Sequence, residues 1–518
     1  MPRRAHPAGR RGGAGPVPRL GRRADVHRAR LFRRRRLALT APITTTKRES
    51  SVEREESGAN MGFIAAIVAV ATIGGLLFGY DSGAVNGTQD GLRQAFDLSD
   101  GGLGFTVGSL LIGCFIGAFL AGRLADQLGR RLVMMLAAVL FLIGALVQGF
   151  AHVQWLFVLA RIGGGMAVGA ASVLSPAYIS EVAPANVRGR MTTIQQIMII
   201  TGLTTAFVVN YFLAKSAGVS TNLFWGGIEA WRWMYLMQAL PAAVFLLALF
   251  FIPESPRFLV SKGRHDHAST VLIRLFGEVV AKAKLEEIRG TFDADHRPRL
   301  SDVRAPGTFF RPIVWAGLVL AVFQQLVGIN VIFYYGATLW QLAGFTEDQS
   351  LLINIVSGAV SIAACFLTIA LVDKIGRKPL LLIGSAGMTV TLFTLVYVFA
   401  NGTLDPAGKL QLSSELGTVA LIAANLYVIF FNVSWGPIMW VMLGEMFPNQ
   451  LRGSALAVCG FAQWFSNYLI AQTFPIMAAG LGLAVSYSFY GACALISFFL
   501  VRRFIHETKG VELEDMQG

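Results

Sequence analysis

The stretch Met61-Gly-Phe-Ile-Ala-Ala-Ile-Val-Ala-Val70-Ala-Thr-Ile-Gly-Gly-Leu-Leu-Phe-Gly-Tyr80-Asp81 decides how the chain is read. Its first twenty residues carry no charge, and about twenty apolar residues is the length an α-helix needs to cross hydrocarbon. It then ends in a lone carboxylate. From residue 61 onward such runs repeat. They predict spans near 62–86, 103–125, 130–150, 155–180, 190–213 and 231–252, then 311–340, 350–372, 378–400, 418–444, 453–477 and 481–503. The runs are too long for strands, and Gly and Pro inside them are tolerated in membrane helices. The expected architecture is an all-α membrane protein of twelve helices in two six-helix halves, 61–252 and 311–504. A linker with short helices (253–310) joins the halves, and a tail (505–518) follows them.

Composition agrees. Of 518 residues, 54% are hydrophobic and only 14% are charged, against about 25% charged in average soluble domains. Disorder, coiled coil and a nucleic-acid arm protein are excluded on that basis. The net charge of +14 invites a polyanionic partner, but residues 1–60 hold +11 of it and the remainder only +3. That first segment is rich in Arg, Pro, Gly and Ala, lacks the apolar core of a secretory signal, and reads as a basic tail or an upstream extension before Met61. No nucleic-acid partner is expected.

The rest of the charge reports topology. With the N-terminus in the cytoplasm, the inner connections and C-terminus hold 23 Lys and Arg, and the outer connections hold four: Arg93, Lys215, Arg232 and Lys409. The bias fits the positive-inside rule, with both termini cytoplasmic in a cell membrane. Arg161 is left over inside the fourth span, and Asp81 is the acid well inside the first. An intramembrane ion is expensive and normally has a partner facing the bundle interior, so an Asp81–Arg161 pair is expected. It either fixes helix packing or couples protons to conformation. Arg keeps its proton, so Asp81 is the member that can titrate.

The halves repeat short motifs in order. Asp126-Gln-Leu-Gly-Arg130-Arg131 matches Asp373-Lys-Ile-Gly-Arg377-Lys378. Glu181, Pro184, Arg188 and Gly189 match Glu445, Pro448, Arg452 and Gly453. Pro253-Glu254-Ser-Pro-Arg257 is echoed by His506-Glu507-Thr-Lys509-Gly510. These motifs predict a cytoplasmic gate of acid–Arg contacts that latch one state, or at least anchor helix ends. A parallel duplication with latches on one side fits alternating access. Gly113, Gly117, Gly165 and Gly169 allow close helix approach. Cys114, Cys365, Cys459 and Cys493 are scattered without metal or disulfide spacing, so neither a metal nor a cofactor is expected.

Membrane spans normally avoid amides, yet Gln195 and Gln196, then Gln324, Gln325 and Asn330 beside Tyr334 and Tyr335, then Gln463, Trp464 and Asn467 all fall inside them, as does Trp435 within Trp435-Gly-Pro437. A single amide is as readily interhelical glue. Together they suit a neutral ligand covered in hydroxyls, because amides offer donors and acceptors at once and Trp faces stack on a sugar ring.

Gly74-Gly-Leu-Leu-Phe-Gly-Tyr-Asp81, Arg161-Ile-Gly-Gly164, Pro253-Glu-Ser-Pro-Arg257, Gln324-Gln-Leu-Val-Gly-Ile-Asn330 and Glu507-Thr-Lys-Gly510 resemble the sugar porter family of the major facilitator superfamily, over about residues 62–515. The likeness is strongest to bacterial sugar–proton symporters. It implies that Asp81 with Arg161 couples protons, and that Gln196, Gln324, Gln325, Asn330, Trp435, Gln463, Trp464 and Asn467 contact a monosaccharide, hexose or pentose. It also implies a helical linker that includes Leu285 to Arg289. Three positions depart from the pattern. Ser361 stands where many members place Asn, Leu203 where some pentose symporters place Gln, and His506 where Pro is usual. The expected activity is monosaccharide import by proton symport, in a monomer within a lipid bilayer. The alternatives are a uniporter and a sugar sensor. An enzyme lacks support, since no nucleophile–base pair lies among the spans.

Overall fold

The computed structural model describes residues 59–184, 188–294, 303–304, 309–404 and 410–509. The basic segment before Ala59, Arg297 and Arg299 of the linker, Lys409 and residues 510–518 lie outside the described residues, as does the side chain of Arg188.

The first half comprises α1 (Met61–Ala84), α2 (Gln89–Phe96), α3 (Asp100–Leu128), α4 (Arg130–Phe150), α5 (Gln154–Val182), α6 (Arg188–Ala217), α7 (Ala230–Leu236) and α8 (Ala239–Leu249). The linker holds α9 (Pro256–Ser261) and α10 (His265–Ala294), so Leu285 to Arg289 is helical. The second half comprises α11 (Pro312–Leu326), α12 (Ile329–Leu342), α13 (Glu347–Ile375), α14 (Arg377–Ala400), α15 (Ser414–Val433), α16 (Trp435–Met446) and α17 (Asn449–Phe504). A two-residue hairpin, Thr403–Leu404 with Leu410–Gln411, follows α14.

Among the described residues, eleven segments are long and apolar enough to cross a membrane. The last, Leu451–Phe504, has 54 residues and is broken at Gly482, where φ is 81°. It therefore supplies two crossings and makes the total twelve. Outward-facing residues such as Phe251, Val390, Leu240 and Leu247 are exposed, as expected of faces solvated by lipid chains rather than water.

Three spans predicted as continuous runs are broken, each for a local reason. Pro241 has no N–H to give the Met237 carbonyl, and the chain steps from α7 to α8 at Met237-Gln238. Gly328 adopts φ 87° between α11 and α12, a conformation only glycine enters without strain. Pro437 cannot bond the Val433 carbonyl, and Ser434 parts α15 from α16 with φ −129° and ψ −89°.

The glycines of α3 and α5 do what their spacing suggested. A Cβ at Gly113 would overlap the Ile162 carbonyl, and one at Gly165 the Leu110 carbonyl, so these two helices are in backbone contact. The halves meet along two crossings, α3 against α17 and α6 against α13.

Candidate functional site

Asp81 and Arg161 meet in the first half. Arg161 Nη1 lies 3.6 Å from Asp81 Oδ1, and both side chains are 1% exposed. The guanidinium also donates to the Val107 carbonyl at 3.2 Å and to Gln148 Oε1 at 3.4 Å, and sits 6.0 Å from the centre of the Tyr235 ring. Asp81 Oδ2 and Arg161 Nε have no hydrogen-bond partner among the described residues. Leaving a buried polar atom unpaired costs about 1–3 kcal/mol, so this is a pair held together by charge and incompletely satisfied. Such a pair changes its arrangement at lower cost than a fully bonded one.

The amides converge in the second half. The break at Gly328 makes this possible, since Gln324 and Asn330 cannot share one face of an unbroken helix. Gln325 Nε2 donates to Gln324 Oε1 at 2.6 Å, and Asn330 Nδ2 donates to Gln325 Oε1 at 2.6 Å and to Asn467 Oδ1 at 2.9 Å. Gln463 Nε2 donates to Gln324 Oε1 at 3.4 Å, and Asn467 Nδ2 donates to the Tyr334 hydroxyl at 3.2 Å. Six polar side chains from α11, α12 and α17 thus form one chain, while Gln463 Oε1 is buried without a partner. The first half approaches at Phe78, whose ring stands edge-on to Trp464 with centroids 5.4 Å apart. Gln196 is partly buried on α6.

Trp435 is turned elsewhere. It is fully buried and donates Nε1–H to Ser385 Oγ at 2.9 Å on α14, so in this arrangement its polar edge serves the second half's own packing. Ser361 is also buried; it donates to the Ser357 carbonyl at 2.7 Å and accepts from Asn432 Nδ2 at 3.3 Å. Leu203 packs against α1 beside Gly79 and Gly83.

The repeated motifs form matching clusters at the arginine-rich end. Arg130 reaches Asp126 and Glu181, each at 3.2 Å. Arg377 reaches Asp373 at 3.2 Å and Glu445 at 2.9 Å. Glu254 accepts the backbone N–H of Arg130 at 2.9 Å, and Glu507 accepts that of Arg377 at 2.9 Å. Both pairs follow a glycine with positive φ, 102° at Gly129 and 99° at Gly376. Arg452 donates to the Phe447 carbonyl at 3.1 Å. The acid–Arg contacts described here each lie within one half.

At the opposite end is a cluster that sequence reasoning missed. Asn86 Nδ2 donates to the Phe333 carbonyl at 2.9 Å, and Asn86 Oδ1 accepts from Ala337 N–H at 3.1 Å and from Asn354 Nδ2 at 2.7 Å. Gln89 Nε2 donates to the Tyr334 carbonyl, and Gln89 Oε1 accepts from the Thr338 hydroxyl at 2.7 Å. Gln472 Nε2 donates to the Gly101 carbonyl at 3.0 Å. Every one of these bonds joins the two halves. The only sequence signal was the polar run after Asp81, which reads equally well as a loop.

Comparison with known proteins places this geometry. The profile of the family described as "Sugar (and other) transporter" matches residues 67–518. A glucose transport protein of Synechocystis sp. is 45% identical over 462 residues, covering 89% of this chain and 98% of that protein. The D-xylose-proton symporter of Escherichia coli is 37% identical over 493 residues, covering 89% and 96%. The arabinose-proton symporter of Bacillus subtilis is 33% identical over 474 residues, covering 92% and 98%. Among solved structures, the inward open conformation of the xylose transporter XylE from E. coli superposes with a TM-score of 0.74 at 36% identity, covering 88% of this chain and 99% of that one. With its twelve crossings in two halves, the chain belongs to the sugar (and other) transporter family, as a multi-pass membrane protein of the major facilitator fold.

Proposed function

We propose that this protein imports a monosaccharide by proton symport with alternating access, as a monomer in the cytoplasmic membrane with its arginine-rich end inside. The carrying observation is the pairing of a neutral amide chain, open at Gln463 Oε1, with one incompletely satisfied ion pair, Asp81–Arg161. The amides suit the hydroxyls of a sugar, and an ionic substrate would find no free counter-charge among them. The named relatives, glucose, xylose and arabinose transporters, support a hexose or pentose. In this reading Gln196, Gln324, Gln325, Asn330, Gln463, Trp464 and Asn467 contact the sugar. Trp435 joins them only in a state that frees it from Ser385. The state described is closed at the Asn86 end and faces inward. The clusters at Asp126, Arg130 and Glu181, and at Asp373, Arg377, Glu445 and Arg452, set the shape of each inner half.

Sugar and proton shift the equilibrium only through different affinities for the two states. Protonation of Asp81 from outside weakens its hold on Arg161, sugar fills the midplane site, and the outer end closes. Uptake into proteoliposomes, with a panel of radiolabelled sugars and an imposed pH gradient, tests this. The wild type accumulates one sugar uphill, and Asp81→Asn exchanges sugar but does not concentrate it. Uphill accumulation by Asp81→Asn would sink the coupling assignment. Wild-type uptake indifferent to the gradient would instead make the protein a uniporter.

A further inference from the structure

Residues 218–228, between α6 and α7, carry no charge, yet they turn their apolar side chains outward: Leu223 is 67% exposed and Trp225 72%. A contiguous exposed apolar patch marks an interaction surface. The loop is also built rather than slack. Phe224 N–H donates to the Ile228 carbonyl, Ala230 N–H to that of Asn222 and Trp231 N–H to that of Ser220, each at 2.9 Å. Gly226 and Gly227 make the turn with φ of 70° and 73°.

The contacts of Trp225 show which way the tip leans. Its carbonyl accepts from Trp233 Nε1 at 2.9 Å, and the two rings lie 5.3 Å apart at 34°. Trp233 opens a stripe that continues through Leu240, Val244, Leu247 and Phe251, at steps that keep to one helix face. The last four are exposed and belong to the face solvated by lipid chains. From Trp233 to Phe251 is eighteen residues, a rise of about 27 Å, close to the ~30 Å of a hydrocarbon core. With Phe251 at the inner boundary, next to the Glu254 cap, Trp233 reaches the outer one. Tryptophan is enriched at that level because its ring is apolar and its N–H is polar. Trp225, stacked on Trp233, shares the level, and the exposed Trp155 at the start of α5 stands at the same end.

The root of the loop points the other way. Ser220 is 1% exposed, and its N–H donates to Glu347 Oε1 at 3.0 Å. Glu347 begins α13, so this bond joins the halves beside the Asn86 cluster.

We propose that the 218–229 loop docks on the outer leaflet of the bilayer, with Leu223, Phe224 and Trp225 seated at the lipid interface, and that this seat braces Ser220 against Glu347 when the outer end is closed. Lipid is the occupant because the patch continues the lipid-facing stripe, carries no charge and presents an aromatic ring at the hydrocarbon boundary. The name of the leaflet rests on the proposed orientation; the docking itself does not.

Spin labels on the full chain in vesicles of phosphatidylethanolamine and phosphatidylglycerol read the seat. The native cysteines are buried, so an introduced one takes the label, and the exposure of Leu223 and Trp225 spares the core. Labels at Leu223→Cys and Trp225→Cys should collide more with oxygen, which partitions into lipid, than with a water-soluble nickel chelate. A label at Ala95→Cys, exposed on α2, should show the reverse. Nickel collisions at the tip as frequent as at Ala95→Cys would mean that it projects into water, and few collisions with either reagent would mean that protein covers it; each result overturns the docking. The brace is read by the distance between labels at Ala95→Cys and Asp348→Cys, which should lengthen when Trp225→Ser is added. An unchanged distance overturns the brace. Orientation is read separately: failure of a membrane-impermeant maleimide to modify Ala95→Cys on intact cells would overturn the proposed orientation and leave the docking standing.

Discussion

At the scale of single residues, each member of the amide chain satisfies its neighbour, and in the proposed reading a sugar takes over those bonds. Asn330 occupies the middle, donating to both Gln325 and Asn467. A neutral hydrogen bond contributes about 0.5–1.5 kcal/mol net, so Asn330→Ala is expected to raise KM for the transported sugar roughly 5- to 150-fold, given that two bonds are disturbed. An unchanged KM would remove Asn330 from the site. These amides were legible in the sequence because polar groups within a bilayer are costly and stand out against the runs that hold them. Asp81 and Arg161 were legible for the same reason. Trp435 was legible as a residue but not in direction: its Nε1 points to Ser385, a contact that no spacing within α16 could indicate.

At the scale of elements, the spans came from the apolar runs, and their breaks came from single residues. Gly328, Pro241 and Pro437 divide three spans, and the first of these folds Gln324, Gln325 and Asn330 into one cluster. The sequence pattern carried the signal for each break, but hydropathy averaged over a window hides it. The ends of elements carry a second kind of information. Glu507 caps α14 by accepting backbone N–H groups of Arg377 and Lys378, each at 2.9 Å. Burial by itself would raise the Glu507 carboxyl, but the backbone donors of Lys509, Arg377, Lys378 and Thr508 outweigh it and hold it below the ordinary carboxylate range. A depressed carboxyl contributes stability above its unfolded value and loses it as pH falls through the folded one. Glu507→Gln should therefore lower the melting temperature in detergent by a few degrees at neutral pH. The difference from wild type should shrink as pH falls below the carboxylate range. A difference independent of pH would show that the charge at Glu507 is not what holds the cap.

At the scale of the whole molecule, the hydrogen bonds from Asn86, Gln89 and Gln472 tie the halves together at one end, while the arginine clusters bind within each half at the other. In the proposed reading, opening of the Asn86 end is what turns the protein from one facing to the other. Asn86→Leu removes the bonds to Phe333, Ala337 and Asn354 across the halves, each worth about 0.5–1.5 kcal/mol, and should shift the equilibrium roughly 10- to 2,000-fold towards the state open at that end. Spin labels at Ala95→Cys and Asp348→Cys should then report a longer separation than in the same labelled protein with Asn86 intact. An unchanged distance distribution would show that α3 against α17 and α6 against α13 hold the halves by packing alone. By itself the sequence determined the number of crossings, the side that gathers the arginines, the twofold repetition and the identity of the buried ion pair. All of these follow from the cost of placing charge and unpaired backbone in hydrocarbon, a cost paid locally along the chain. Only the tertiary structure decided which amides touch, that the arginine contacts stay within each half and that Asn86 closes one end. Those depend on the register between helices distant in sequence, and register is set by how side chains pack across an interface rather than by the composition of either helix.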